Sequence, residues 1–320
     1  MSATTVDRDE FVRLTDPYRR ELLAHCYRML GSVDEAEDLV QETYLRAWRA
    51  YDGYEGRASL RTWLHRIATN TCLTALEGRA RRPLPSGLGG PSEAPEEPLR
   101  ASATDVPWLQ PLPDTLVDPA NVVAARGSLR LALVAALQQL PARQRAVLIL
   151  RDVLAWRASE VAAQLGMSTA AVKSSLQRAR ARLDEVAPDE DLVEEPEGAA
   201  DRDVLDRYVA AFENADLDAL IGLLQDGVEL EMPPFLEWYS GKKDVLRFLH
   251  ARVHEKGTLR MLRTRANGQP AVAMYVRGDD GVNRVHSLQV LTVREGALAR
   301  ITAFLDPDAL DRFGLPKEWS

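Results

Sequence analysis

The residues best suited to chemistry on a partner lie in the stretch AAVKSSLQRARARL, Ala170 to Leu183. On a helix, Val172, Leu176, Ala179 and Leu183 share one apolar face. That leaves Thr169, Lys173, Ser174, Gln177 and Arg178 on the other. Lysine and glutamine can hydrogen-bond base edges in a major groove, and arginine takes bases or phosphates. Arg180 and Arg182 lie further along, where neutralising a phosphate backbone is the natural role. Ala158 to Leu165 reads as a preceding helix, followed by a Gly166-Met-Ser turn. Ala162 is small enough for close helix approach, Gly166 accepts a positive φ, and Val172 plugs the crossing point, which together make a helix-turn-helix pattern.

The elements that must position these groups follow from charge and spacing. The chain has 320 residues and a formal net charge of −8. Met1 to Arg82 is balanced, Pro83 to Ala125 carries −5, Arg126 to Arg182 carries +8, and the remainder carries −11. A basic segment this concentrated is the footprint of a nucleic-acid binder, hidden in the bulk value by acidic neighbours. No apolar run approaches the roughly 18 residues needed to cross a bilayer, and Met1 to Glu10 lacks the pattern of a signal peptide. The expectation is a cytoplasmic protein without a membrane partner. Cys26 and Cys72 fall on apolar faces of separate helical patterns and read as buried thiols. No metal-ligand, serine-hydrolase or phosphate-loop pattern is present, so no metal, cofactor or catalytic residue is expected.

Before the helix-turn-helix, Leu22, Leu23, Cys26, Tyr27 and Leu30 repeat at helical spacing. Gly31 can close that helix, and Ser32-Val-Asp-Glu35 resembles a capping box opening the next. The second helix has a core stripe of Ala36, Leu39, Val40, Thr43, Tyr44, Ala47 and Trp48. Asp34, Asp38, Gln41, Glu42, Leu45 and Arg49 lie opposite. Asp34 to Glu42 holds five acids and no base, a face useless on DNA but suited to a protein partner. A third helix is expected over about Ser59 to Gly78, with Leu60, Trp63, Leu64 and Ile67 inward and Arg61, His65, Arg66 and Asn70 outward. Arg79, Arg81 and Arg82 follow, so a second basic element lies about a hundred residues before the first.

Pro83 to Pro119 is rich in proline and glycine and reads as a tether. Val106-Pro-Trp-Leu109 is an apolar patch within it, expected to dock on something. Leu129 to Leu140 and Pro141 to Leu154 mark two more helices. After an acidic stretch, Asp184 to Glu197, helices are expected around Val204 to Phe212, Leu217 to Leu224 and Val245 to Val253. Strands follow at Leu259 to Arg265, Ala271 to Arg277, Val285 to Val293 and Leu298 to Phe304, with Asn267-Gly268, Asp280-Gly281 and Glu295-Gly296 turns. This order argues for an α+β unit in which a curved antiparallel sheet wraps helices. Its candidate pocket residues are Phe235, Trp238, Tyr239 and His286, with His250 and His254 as further imidazoles. Ile301 to Pro316 runs a strand into an amphipathic turn, read as a clasp on this unit in preference to a latch on the helices.

DEAEDLVQETYLRAW (Asp34 to Trp48), RASLRTWLHRIATNTCL (Arg57 to Leu73), LPARQRAVLILRDV (Leu140 to Val153) and the helix-turn-helix together resemble the extracytoplasmic-function (ECF) sigma factors of bacterial RNA polymerase. The tether and third unit look like the subgroup that carries a SnoaL-like, NTF2-type extension, which modulates the sigma factor. The resemblance implies two all-α sigma domains, region 2 over residues 8–82 and region 4 over 126–186. A linker over 83–125 would join them, and an α+β cone would cover 199–316. It implies docking on the β′ clamp of core polymerase through Asp38, Gln41, Glu42 and Leu45, with the β flap as a further contact. It implies −10 promoter contacts from Arg61, Arg66, Asn70, Arg79, Arg81 and Arg82. The −35 contacts would come from Thr169, Lys173, Ser174, Gln177, Arg178 and Arg180. A small-molecule ligand of the cone is a candidate partner. Two other readings stay open, a helix-turn-helix regulator independent of polymerase and an enzyme domain on a DNA-binding carrier.

Overall fold

Cap residues and apolar spacing account for the first helices. The computed structural model describes residues 8–100, 105–117, 126–186, 199–252, 256–305 and 310–319. It opens with α1 (Arg8–Thr15), α2 (Arg19–Leu30), α3 (Val33–Ala50) and α4 (Leu60–Ala75). α2 ends where Gly31 turns left-handed at φ 71°, a conformation glycine adopts without strain. α3 begins where Ser32 Oγ accepts from the Glu35 amide at 3.3 Å, and Ser59 caps α4 by accepting from Thr62 at 3.2 Å. The expected stripe of α3 is buried at Ala36, Val40, Thr43 and Ala47. Trp48, expected inside, is 40% exposed and meets Phe11 edge-on at 5.2 Å. Cys26 and Cys72 are buried free thiols.

His65 corrects the expectation that it faces outward, because it is buried beside His25 with ring centroids 5.4 Å apart. Its Nδ1 lies 2.9 Å from the Arg61 carbonyl, which can only accept, so that nitrogen carries the proton. His25 Nε2 meets Thr69 Oγ1 at 3.1 Å. Burial holds both imidazoles below their ordinary range. For His25 the neighbouring His65 and Arg28 add to that effect, and for His65 burial outweighs the opposing pull of Glu21.

The second set of helices is α5 (Leu131–Gln138), α6 (Ala142–Leu148), α7 (Ala158–Leu165) and α8 (Thr169–Val186). A π-turn over Ile149–Val153 extends α6. These helices and residues 1–82 form one compact unit, and residues 83–114 with 193–320 form the other. Within the first unit, Arg145 of α6 is buried and donates to the Met29 carbonyl at the end of α2. It also donates to Gln138 Oε1 at 2.6 Å and to the Gln138 and Leu140 carbonyls at 3.2 and 3.1 Å. Burial pushes its guanidinium down to about 10.

In the second unit, α9 (Ala199–Glu213), α10 (Leu217–Ile221) and α11 (Lys242–His250) accompany a seven-stranded sheet. Its strands are β1 (Leu224–Glu231), β2 (Trp238–Ser240), β3 (Leu259–Ala266), β4 (Gln269–Arg277), β5 (Asn283–Arg294), β6 (Ala297–Phe304) and β7 (Glu318–Trp319). They run in the order β2-β1-β6-β5-β4-β3, with β7 on β5. The sheet is not wholly antiparallel as expected, since β1 pairs parallel with β6. A register shift between Leu224 and Glu229, around Asp226-Gly227, breaks the period-2 pattern and hides β1 in the sequence. The core joins Tyr208 and Phe212 of α9, Val245 and Phe248 of α11, and the inner sheet face at Val272, Leu291 and Ile301.

The proline-rich segment is not a free tether over its described length. Its polar groups are satisfied by the second unit: the Ser86 amide donates to Glu231, Ser92 to the Trp238 carbonyl, and Leu112 to Asn267 Oδ1 at 2.9, 2.7 and 2.9 Å. Pro113 bridges Ala266, and Asp114 pairs with Arg265 at 3.0 Å. Leu109 and Leu112 are fully buried, so the patch around Trp108 docks within this unit. Residues 118–125, His254 and most of the acidic stretch lie outside the described residues. The C-terminal run serves as a clasp at the residues described: Leu310 is buried, Tyr275 donates to the Pro316 carbonyl at 2.8 Å, and Trp319 packs on Tyr275.

The buried imidazoles predict acid sensitivity. A histidine whose folded pKa is depressed binds a proton more readily when unfolded, so stability is full above the unfolded value near 6.5 and falls as pH drops below it. Thermal melts should therefore show a midpoint falling from pH 7.5 to pH 5.5, with a slope of up to about 1.4 kcal/mol per pH unit for each imidazole. His25→Gln should flatten that slope, and a slope unchanged in the variant would refute the assignment.

Candidate nucleic-acid interface

Arg157 opens α7 with its amide donating to Glu160 Oε2 at 2.6 Å, and Gly166 closes it at φ 62°. α8 then buries Val172, Leu176, Ala179 and Leu183. Thr169, Lys173, Ser174, Gln177, Arg178 and Arg180 are all exposed, as a helix laid on a major groove requires. Arg178 donates to Ser174 Oγ at 2.7 Å, one turn back, which aligns the guanidinium along the helix. Arg180 is held in a two-pronged pair with Asp152 at 2.7 and 3.0 Å, and that bond raises its pKa. Asp152 sits in the π-turn, and nothing in the sequence pattern marked it as a partner of α8.

The residues expected on the −10 side gather on and after α4 and engage protein groups. Arg61 pairs with Glu21 of α2. Arg79 and Arg82 converge on Glu35 Oε1 at 2.6 and 2.9 Å, and Arg81 donates to Gln139 at 3.2 Å. Arg66 lies 6.0 Å over the Trp156 ring. Asn70 is exposed, and its Oδ1 accepts from Gln164 of α7 at 2.8 Å, while the same amide donates to the Arg66 carbonyl at 3.0 Å. The first helix of the helix-turn-helix thus touches the outward side of α4. Gln164 and Trp156 escaped the sequence reading because their partners are about a hundred residues away.

The acidic helix presents the opposite situation. Asp38 and Gln41 are exposed, Leu45 is 52% exposed, and Glu42 pairs with Arg46 of its own helix at 2.7 Å. A leucine held in water beside carboxylates on a rigid helix suits a protein partner that buries apolar surface and supplies positive charge.

The second unit encloses a cavity of about 730 Å³ between α9, α11 and the sheet. Phe235 and His286 line it, together with Tyr208, Ser287, Gln289 and Leu99. Trp238 and Tyr239, expected beside them, are not on its wall. Trp238 Nε1 donates to the Gly89 carbonyl at 2.9 Å, and Tyr239 packs on Phe248 at 4.9 Å. His286 faces the cavity because β5 carries an extra residue there: Ser287 pairs with Met274 and Val285 with Tyr275, leaving His286 unpaired between them. Partial desolvation lowers its pKa. Among the described residues, no cluster of histidine, cysteine or carboxylate could hold a metal ion.

Comparison with known proteins gives three family matches in order along the chain. Residues 14–82 match sigma-70 region 2, residues 130–183 match sigma-70 region 4, and residues 205–310 match the SnoaL-like domain. The chain is 52% identical over 315 residues to the ECF RNA polymerase sigma factor SigG of Mycobacterium tuberculosis, covering 97% of this chain and 85% of that protein. It is 28% identical to SigJ of the same organism, covering 91% and 90%. The crystal structure of SigJ superposes with a TM-score of 0.65 at 24% identity, covering 96% of this chain and 99% of that one, a likeness of fold.

The Arg180 pair makes a measurable prediction. Asp152→Ala removes an exposed salt bridge of small energetic weight and should shift stability by less than about 1 kcal/mol. It also frees a guanidinium on the basic face. Binding to a duplex of unrelated sequence should tighten a few-fold at low salt, with a steeper dependence of log K on log salt. Fluorescence anisotropy across a salt series reads both effects, and an unchanged slope would remove Arg180 from the interface.

Proposed function

The chain belongs to the extracytoplasmic-function (ECF) sigma factors of RNA polymerase, and on that premise we propose how its parts divide the work of initiation. It binds core RNA polymerase and promoter DNA and directs promoter-specific transcription. The division of labour follows surface chemistry. α3 docks on the polymerase through Asp38, Gln41, Glu42 and Leu45, and the observation that carries this reading is the exposed leucine within an acidic helix face. α8 reads the −35 element, with Lys173 and Gln177 on base edges and Arg178 and Arg180 on bases or phosphate. Asn70 and Arg66 receive an unpaired −10 base, with Arg61, Arg79, Arg81 and Arg82 along the backbone.

Promoter melting needs no covalent step, because stacking and hydrogen bonding to a flipped base offset the few kcal/mol of unpairing. Asn70 and Arg66 first have to leave Gln164 and Trp156. That release costs about 0.5–1.5 kcal/mol for the hydrogen bond and about 1–2 kcal/mol for the cation–π contact on the buried Trp156 ring. Docking of α3 on polymerase can supply it. The SnoaL-like unit acts on this balance as a regulatory domain without turnover of its own, a reading supported by its place on a sigma factor. The protein acts where chromosome and polymerase are, and no helix among the described residues is long and apolar enough to cross a membrane.

Run-off transcription with purified core polymerase and a promoter library tests the assignment. The full chain should yield promoter-specific transcripts. Leu45→Arg with Glu42→Arg should cut them at least tenfold while leaving the melting temperature and duplex binding in place, since both positions are at the surface. Transcripts insensitive to the double substitution would overturn the docking face. Duplex binding without any directed transcript would favour a regulator independent of polymerase.

A further inference from the structure

The cavity of the second unit has the dimensions of a site for a drug-sized ligand, about 300 to 1,000 Å³. Its wall is mostly aliphatic and aromatic, with Phe212, Leu230, Phe248 and Ile301 among the lining residues. The polar side chains on it are Tyr208, Arg252, Thr258, Arg277, His286, Ser287 and Gln289. Tyr208 donates to Gln289 Oε1 at 2.7 Å, so that pair is satisfied internally. Arg252 lies across the Phe248 ring at 3.8 Å and donates to the carbonyls of Pro95 and Glu97 at 2.8 and 2.9 Å, so its charge is committed to the wall. Ser287 is different. It is 1% exposed, lines the cavity, and its Oγ has no hydrogen-bond partner among the described residues. A buried hydroxyl of this kind ordinarily has a partner, and here the open space beside it is large enough for one carried by a ligand. His286, which the bulge brings to the same cavity while leaving it exposed to solvent, stands next to it.

One part of the wall does not come from the cone. Leu99, on the segment that leads from the first sigma domain to the second, lines the cavity. The segment is fixed there by Arg252, by Glu96 paired with Arg247 at 2.7 Å, and by the Arg100 amide on Glu237 at 3.3 Å. Whatever fills the cavity touches the connecting segment directly.

We propose that this cavity binds a neutral, largely apolar small molecule carrying one hydrogen-bonding oxygen for Ser287, and that the bound molecule clamps the connecting segment through Leu99. A charged molecule would lose its hydration against a mostly apolar wall, where Arg252 is committed to backbone carbonyls and Arg277 lies three residues along β4 from Met274, the partner of Ser287. A wholly apolar one would leave the hydroxyl unpaired. Occupancy would make residues 92–100 harder to detach and so report the ligand to the chain between the two sigma domains. Binding itself does not depend on the transcription role proposed above. The clamp rests on that role only for its consequence.

The test uses the full chain and Nile red, a neutral fused-ring dye with a ring carbonyl whose emission reports an apolar site. Saturable one-to-one binding with blue-shifted emission is expected, together with slower amide exchange over residues 92–100 in the bound state. Ala303→Phe, which fills the cavity, and Leu99→Arg, which puts a charge on its movable wall, should each weaken binding at least tenfold. Ser287→Ala should weaken it about five-fold while the melting temperature holds. Should Ala303→Phe fail to fold, the Leu99 and Ser287 variants decide alone. Absence of saturable binding, or binding indifferent to these substitutions, overturns the site. Binding without slowed exchange over 92–100 overturns the clamp. Transcription need not be measured, so a failure here is separable from a failure of the sigma assignment.

Discussion

A buried guanidinium has to place its donors on acceptors, and Arg145 meets that requirement by tying together elements that are distant in sequence. Its partners are carbonyls at the ends of α2 and α5, groups that helix geometry leaves without an internal partner. Burial lowers its pKa to about 10, yet that leaves it charged in any physiological setting. Loss of this one side chain would strand several buried acceptors at once, a penalty that neighbouring apolar residues cannot absorb. Arg145 thereby joins α6 to the ends of α2 and α5, in the same unit in which Gln164 of α7 meets Asn70 of α4. Arg28, bonded to Ser128 at 3.0 Å, and Gln138, which also reaches the Arg28 carbonyl, reinforce the same junction.

Short-range physics was legible in the sequence. The caps at Ser32, Gly31 and Gly166, the buried stripe of α8 and the turns of the sheet all lie within a few residues of the groups that determine them. The helix-turn-helix surface could be read because a 3.6-residue period separates core from solvent without outside help. Long-range pairing was not legible. His65 looked polar enough for the surface, yet the side chains it packs beside, Glu21 and His25, lie some forty residues earlier. β1 was hidden by its bulge, and Trp238 and Tyr239 were assigned to the cavity on aromatic character alone. Their actual partners, Gly89 and Phe248, sit on elements whose placement no local pattern states. Leu99 was invisible as a wall residue because the segment carrying it has no periodicity.

Charge is partitioned as sharply as structure. The +8 segment that forms the second sigma domain is followed by a −11 remainder, so the chain as a whole is acidic while one helix face is strongly basic. Long-range attraction to DNA is thereby reduced without removing the local contacts that would read it. Intramolecular pairs such as Arg180 with Asp152 act in the same direction, lowering the number of cations available to a nonspecific duplex. A factor that must reach polymerase before settling on DNA gains from that restraint.

The seating of the proline-rich segment alters the mechanics of the whole chain. Roughly 40 free residues could span about 140 Å when fully extended, enough slack for two reading heads to wander independently. Adhesion of residues 83–100 and 105–114 to the cone consumes most of that contour length. Were the two heads to part on DNA, they would do so on a short leash whose length is set by how much of the segment is peeled away. Effective concentration of one head at the other's target scales with that length, so peeling or re-adhering a few residues would act as a rheostat on promoter spacing.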